Sequence, residues 1–504
     1  MNNAQNLYDI LGVAPGASAE DIRSAYRIAA RRLHPDVNQH PGAATQFRDI
    51  AAAYEILSDA VARDGYDTRR RVNAASERPY FTLRVTPSKR VLPILEEAQV
   101  LYVLVEVMPE RTRSLQGLET HLNLTLVLDR STSMNGPRLE RTRAAAYQII
   151  DQLTDQDFVS VVTFSDRAEV LVPSAYLTDK PGAKALIATI QASGGTEILQ
   201  GLEAGFKENQ RHAAKQYVNH MILLTDGRTY GDEVESLELA SKAAKHGVGI
   251  SAMGLGDEWN DIFLDQIASR TGGTSEYISS PNAVVRFLND RVKNLGRSLA
   301  ERVSISLAPD SDIKLESAFR LMPNPQPVSV SVDPIPIGQL YVSSIASTIV
   351  QLQVPPLQTP GFRSILRIDV TGDIMREQRP EYKLVTDISL EVAQAPAVED
   401  PPLAILDALG KLTLYRMQEK ASEALARGDV REATRRLEAL ATRLLSAGHD
   451  ELANAAMAEA RRVSSTNMLS QEGQKTLKYG TRLLIAAPQP EGPTTTASIG
   501  PTGQ

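Results

Sequence analysis

The pattern of apolar and polar positions changes character several times along the chain. After Ser18, the apolar residues Ile22, Ala25, Tyr26, Ala29 and Leu33 recur at the 3.6-residue period of an amphipathic helix. Ser18 and Asp21, three residues apart, approximate a capping box at its start. The pattern stops at His34-Pro35-Asp36, because proline disfavours helical backbone at the residue before it. Phe47, Ile50, Tyr54 and Leu57 then mark one face of a second helix, Thr45 to Leu57. Residues 1–71 therefore read as a helical hairpin with the His-Pro-Asp loop at its tip. Arg69-Arg70-Arg71 leads into a linker expected over 72–79.

From Tyr80 to Glu110 the period drops to two, with Leu101, Val103, Val105 and Val107 alternating against Tyr102, Leu104 and Glu106. Residues 80–118 are read as the first part of an antiparallel β-sandwich. From His121, strands at Leu122–Leu128, Phe158–Phe164, Asn219–Thr225 and Val248–Leu255 alternate with helices. Those helices are expected at Arg138–Leu153, Ala183–Ile190, Glu197–Arg211, Glu233–His246, Asp261–Ser269 and Asn282–Leu299. This alternation predicts a doubly wound α/β domain over 119–300, its mostly parallel sheet covered on both faces. Beyond Glu301 strands return without helices, at Val303–Leu307, Val328–Val332, Leu340–Val342, Ile349–Val354, Ile365–Val370 and Leu384–Val392. They complete the sandwich over 301–396, so the α/β domain is inserted in it.

Pro401 to Ile485 is helical in pattern, broken at Gly428-Asp429 and Gly448 to Asp450, and 397–487 reads as C-terminal helical hairpins. Leu437, Leu440, Ala441, Leu444 and Leu445 form the stripe expected of a buried face. The Pro-, Gly- and Thr-rich stretch 488–504 reads as a disordered tail. The fold class is thus multidomain: α, α/β and β.

Composition narrows the function. Hydrophobic residues make up 42% and charged residues 23% of 504, the balance of an ordinary globular protein. No cysteine is present, which excludes disulfides, thiolate metal sites and a cysteine nucleophile. A formal charge of −7 argues against a general nucleic-acid binder. No signal peptide and no apolar run of membrane-spanning length is visible, so a cytoplasmic protein without a membrane partner is expected.

Two places carry chemistry. Ahead of His34-Pro35-Asp36, Arg23, Arg27 and Arg31 recur every four residues on the face away from Ile22 and Ala29, with Arg32 alongside. Taken singly, such a tripeptide is also an ordinary helix-breaking turn and such a stripe a solvated face. Together, Asn6 to Val13, Ile22 to Arg27, Leu33 to Asn38 and Phe47 to Asp59 resemble the DnaJ-type J domain. Asp59, Arg63, Tyr66 and Asp67 keep part of its fourth-helix signature, while Ala62 and Asp64 depart from it. The resemblance implies that His34, Pro35 and Asp36 dock on a DnaK-type chaperone and stimulate its ATP hydrolysis. Arg23, Arg27 and Arg31 would be the basic docking face.

The second place lies at two predicted strand ends, Asp129-Arg130-Ser131-Thr132-Ser133 and Thr225-Asp226-Gly227, with Gly194-Gly195-Thr196 between them at the start of a helix. In a parallel sheet, ligands bind in the crevice at the C-terminal strand ends. Two carboxylates and three hydroxyls there make an all-oxygen donor set suited to Mg2+, and seven scattered histidines do not suggest zinc. This DxSxS, GGT and TDG series resembles a von Willebrand factor A domain over His121 to Leu299, with Thr132 in place of the common Gly. The resemblance implies a metal-ion-dependent adhesion site made by Asp129, Ser131, Ser133, Thr196 and Asp226. It would hold Mg2+, or Mn2+ or Ca2+, and accept an acidic residue of a protein ligand. The sandwich and Lys478-Tyr479-Gly480-Thr481 resemble bacterial proteins that embed this domain between strand segments.

The leading reading is a non-enzymatic co-chaperone or adaptor that recruits a DnaK-type chaperone while the metal site captures a client or assembly partner. Two others stay open: a scaffold of an AAA-type ATPase complex, and a metal-dependent hydrolase.

Overall fold

The computed structural model describes residues 7–74, 79–110, 121–214, 216–226, 229, 231–256, 259–278, 298–323, 325–342, 344–375, 379–397 and 399–486. The tail over 488–504, residues 75–78 of the expected linker, residues 282–297 of the expected helix and Gly227 lie outside them.

Four helices open the chain: α1 (Leu7–Leu11), α2 (Ala19–Leu33), α3 (Pro41–Ser58) and α4 (Ala60–Ala74). The capping box forms at α2, where the Asp21 N–H donates to Ser18 Oγ at 3.1 Å and the Ser18 N–H to Asp21 Oδ2 at 2.9 Å. α3 starts four residues before the expected Thr45, because Pro41 occupies its first turn, where a missing N–H costs nothing. Ile22, Leu33, Ile50, Ala53 and Leu57 close the hairpin core, and Tyr8, Ile10 and Leu11 of α1 complete it. α4 continues to Ala74, into the residues read as linker.

The α/β domain runs β4 (Leu122–Asp129), α5 (Pro137–Gln152), β5 (Phe158–Phe164), β6 (Ala168–Tyr176), α6 (Lys180–Ala188), α7 (Ile198–Gln210) and β7 (Val218–Thr225). It continues with α8 (Glu233–Lys245), β8 (Gly249–Leu255), α9 (Asp261–Thr271) and β9 (Ser275–Ile278). The sheet order is β6-β5-β4-β7-β8-β9, parallel except for β6, which runs antiparallel to β5. Every residue of β4, β5 and β7 is buried, because helices cover both faces. β6 and β9 were not anticipated: both lie at sheet edges, and β9 is only four residues long. Leu299, expected to end a helix, instead belongs to strand β10 (Ser298–Pro309).

Two five-stranded sheets form the sandwich. The first orders β1 (Phe81–Pro87), β3 (Gln99–Pro109), β14 (Ala346–Val354), β11 (Lys314–Met322) and β12 (Gln326–Val328). The second orders β13 (Ile335–Tyr341), β10, β15 (Gly361–Ile374), β16 (Arg379–Ala393) and β2 (Val91–Pro93). β3 pairs along its length with β14, so chain on either side of the α/β domain shares one sheet. The insertion expected from the pattern is therefore what the chain does. Only part of the strand expected at Val328–Val332 forms, since β12 stops at Val328. β11 escaped the sequence because bulges near Ser317 and Met322 interrupt its alternation.

Helices α10 (Leu403–Ala426), α11 (Val430–Ser446), α12 (Asp450–Thr466) and α13 (Gln471–Ala486) follow. A further break falls at Asn467, in the left-handed region with φ 59°. Leu437, Leu440, Ala441 and Leu444 are buried as expected, but Leu445 is 51% exposed. Ile405, Ala408, Leu412 and Tyr415 of α10 pack on Leu104, Phe319 and Ile349 of the first sheet. α13 crosses to the α/β domain, where Arg482 grips Asp265 through two bonds of 2.9 and 2.6 Å. Among the described residues no helix is long and apolar enough to cross a membrane.

Candidate functional site

His34 caps the C-terminus of α2, its N–H bonded to the Ala30 carbonyl at 2.9 Å. Its ring stands edge-on to Phe47 of α3, with centroids 5.2 Å apart, and its Nδ1 accepts from the Asp36 N–H at 3.2 Å. The loop is thus braced from below while its chemistry faces outward: His34 is 45% and Asp36 87% exposed at the side chain. Pro35, Arg23, Arg27 and Arg31 are exposed as well, so the six predicted residues share an open surface. Arg32 departs from it. Its guanidinium turns to the sandwich, 3.4 Å from Asp387 and 3.9 Å from Asp310.

The second site sits where β4 and β7 end side by side, paired as far as Leu128 and Leu224. Asp129 is fully buried there. Its Oδ1 accepts from the Ser131 N–H at 2.7 Å and its Oδ2 from the Thr225 hydroxyl at 2.6 Å. Burial pushes its carboxyl up to about 6, with the Thr225 and Ser131 bonds pulling the other way. The Ser133 hydroxyl donates to Asp226 Oδ1 at 2.7 Å and lies 3.0 Å from Ser131 Oγ. Thr196 is buried on a neighbouring loop, which Thr132 ties to the first through its N–H and hydroxyl, both donating to the Gly194 carbonyl at 3.0 and 2.8 Å. The residue in place of the usual Gly thus acquires a bond of its own.

Sequence reasoning missed three supports of this crevice. Asp166, just past β5, accepts from the Gly195 N–H at 2.8 Å and holds the GGT loop. Thr225 orients Asp129 from the end of β7. Arg138, at the start of α5, donates to Asp226 Oδ2 at 2.6 Å. Of these only Thr225 had a signal, as the residue before Asp226.

The hydroxyls of the donor set stand at a spacing that suits a divalent ion. Cis oxygens around Mg2+, at its bond length of about 2.0–2.1 Å, stand about 2.9 Å apart. The 3.0 Å between Ser131 Oγ and Ser133 Oγ fits that spacing. Both hydroxyls keep lone pairs for an ion, since a hydroxyl donates once and accepts twice. Among the described residues no group of three or more His, Asp or Glu side chains offers a rival cluster.

Three stretches of the chain resemble known domains. The DnaJ domain model matches residues 6–67, the von Willebrand factor type A domain model 123–290, and the model of the Sll0103-like C-terminal alpha-helical domain 403–487. The uncharacterized protein sll0103 of Synechocystis is 26% identical over 381 residues, 73% of this chain and 89% of that protein. The chaperone protein DnaJ of Thermosynechococcus vestitus is 53% identical over 64 residues, 13% of this chain but only 17% of that protein. A solved von Willebrand factor type A protein from Catenulispora acidiphila shares the fold, with a TM-score of 0.63 at 17% identity over 80% of this chain and 96% of its own. The chain is a fusion of an N-terminal DnaJ domain with a von Willebrand factor A domain set into a β-sandwich.

Proposed function

We propose that this protein is a cytoplasmic J-domain adaptor. His34, Pro35 and Asp36, flanked by Arg23, Arg27 and Arg31, engage a DnaK-type chaperone and stimulate its ATP hydrolysis. The crevice of Asp129, Ser131, Ser133, Thr196 and Asp226 holds Mg2+, or Mn2+ or Ca2+, and captures an acidic residue of a protein client. A bound ion supplies an electrophilic centre for one more oxygen ligand. The chain's own part is then binding and orientation: Thr225 and the Ser131 N–H fix Asp129, and Thr132 and Asp166 hold the Gly194-Gly195 loop in place.

One observation carries the reading. The J domain is fastened to the sandwich through Asn38, Gln46 and Asp49, while its His-Pro-Asp loop and arginine face stay in solvent. A J domain serving only as packing would have no need to keep that face clear. The test is steady-state ATP turnover by a DnaK-type chaperone with the full chain added. Stimulation that is lost in His34→Gln supports the assignment, and equal turnover with wild type and variant ends it. Reversing Arg27 and Arg31 to Glu is expected to weaken the stimulation most at low salt, where exposed charges are least screened.

A further inference from the structure

We propose that Arg138 is a resident counter-ion that sets how tightly the crevice takes a divalent ion. The inference rests on the metal reading above and deepens it, because Arg138 occupies none of the ligand positions. Its guanidinium reaches back from the first turn of α5 to the end of β7, with Nη1 2.6 Å from Asp226 Oδ2 and 3.3 Å from the Ser133 carbonyl. Gly256, past the end of β8, makes room for it. A Cβ there would stand 3.1 Å from Nη2, and the backbone at that glycine is left-handed, with φ +77°. Three segments are thus shaped around one guanidinium.

The consequence follows from charge. Asp226 is fully buried and both its oxygens are engaged, Oδ1 by the Ser133 hydroxyl and Oδ2 by Arg138. Asp129 is held by neutral donors only, the Ser131 N–H and the Thr225 hydroxyl. Two carboxylates would offer a divalent ion two negative charges, and Arg138 cancels one of them. An entering ion meets half the attraction and a fixed positive charge close by, a penalty that low local dielectric enlarges. The guanidinium side chain is 34% exposed, so it has a solvated route out of the pair that the fully buried Asp226 lacks. The ion and Arg138 therefore compete for Asp226.

Titration calorimetry with Mg2+ and with Mn2+ on the full chain tests this, comparing wild type with Arg138→Gln, Arg138→Ala and Arg138→Lys. Both neutral variants are expected to bind at least about tenfold more tightly, while Arg138→Lys keeps the charge and stays near wild type. Without metal, Arg138→Gln should melt below wild type, since buried Asp226 has lost its ionic partner. Neutral variants that bind the ions no better than wild type, with unchanged circular dichroism, overturn the role of Arg138 and leave the metal reading standing. Silence from all four proteins toward both ions overturns the metal reading, and this inference falls with it.

Discussion

The backbone of Gly42 lies so close to the carbonyl oxygen of Leu307 that a Cβ added there would stand 2.0 Å from it. This contact lies in the seam between the J domain and the sandwich. Around it the Gln46 amide donates to the Ser306 carbonyl at 3.2 Å and Asn38 to the Pro309 carbonyl at 2.9 Å. Lys383 pairs with Asp49, and Arg367 donates to the Ile10 carbonyl. Ala308 enters the J-domain core itself. The seam is mostly polar and charged, as is common between domains that part reversibly.

Gly42→Val is therefore expected to free the J domain without unfolding it. The added side chain meets backbone, which cannot yield as a flexible side chain would, while Ile50, Ala53 and Leu57 keep the hairpin core. Small-angle scattering should show a larger radius of gyration, with amide protection of α2 and α3 retained. An unchanged scattering curve would show that the seam tolerates the branch.

Asp129→Ala should abolish the response of the melting temperature to Mg2+ and Mn2+. In wild type, an ion bound only by the folded state adds about 2.7 kcal/mol at a hundred times its dissociation constant. The variant keeps one carboxylate, itself tied to Arg138. Without metal it should be at least as stable as wild type, because burial disfavours the Asp129 charge. A wild-type melting curve indifferent to millimolar-range ions would remove the basis for the site.

Much of this arrangement could be read from the chain before folding. Asp129, Ser131, Ser133 and Asp226 meet because their motifs sit at the ends of adjacent parallel strands, a relation that apolar periodicity makes visible. Arg138 and Asp166 were not legible. Each is an ordinary surface residue type whose partner is set by how far a side chain reaches across strand ends. The interdomain seam was invisible for a similar reason: Gln46 and Gly42 look like solvent-face residues of α3 until a second domain covers them. Edge strand β6 shows little apolar alternation, and bulges hide β11, so period counting passes over both.

The α/β domain should lose stability as pH rises through neutrality, in part through Glu276. Burial pushes its carboxyl up to about 7, with Arg482 pulling it down. A carboxyl raised in the folded state binds more protons folded than unfolded. Its contribution is therefore full below the unfolded value near 4.5 and is lost as pH passes about 7. Glu276→Gln should flatten this slope, gaining on wild type between pH 6 and pH 8. Parallel melting temperatures for the two proteins across that window would count against it.

Asp265→Asn should detach α13 from the α/β domain. Asp265 is largely buried, with its side chain 15% exposed. Burial alone would raise its carboxyl, but Arg482 and Lys478 hold it well below the usual carboxylate range. Both cations come from α13, with Lys478 2.8 Å from Asp265 and also paired with Asp261. Removing the shared carboxylate leaves Arg482 buried without its bidentate partner, and losing one member of a buried pair costs about 3–5 kcal/mol. Arg482→Met should cost less than Asp265→Asn, because it removes a buried charge and leaves Asp265 paired with Lys478. The single tryptophan supplies the readout. Trp259 lies under Lys475 of the same helix, 4.6 Å from ring centre to Nζ, with its carbonyl accepting from that Nζ at 2.8 Å. Detachment should expose the indole to water, shifting its emission to the red and speeding quenching by iodide, at denaturant concentrations that leave wild type unaffected. Emission that stays blue in Asp265→Asn until global unfolding would mean that apolar packing, not this ion cluster, holds α13 in place.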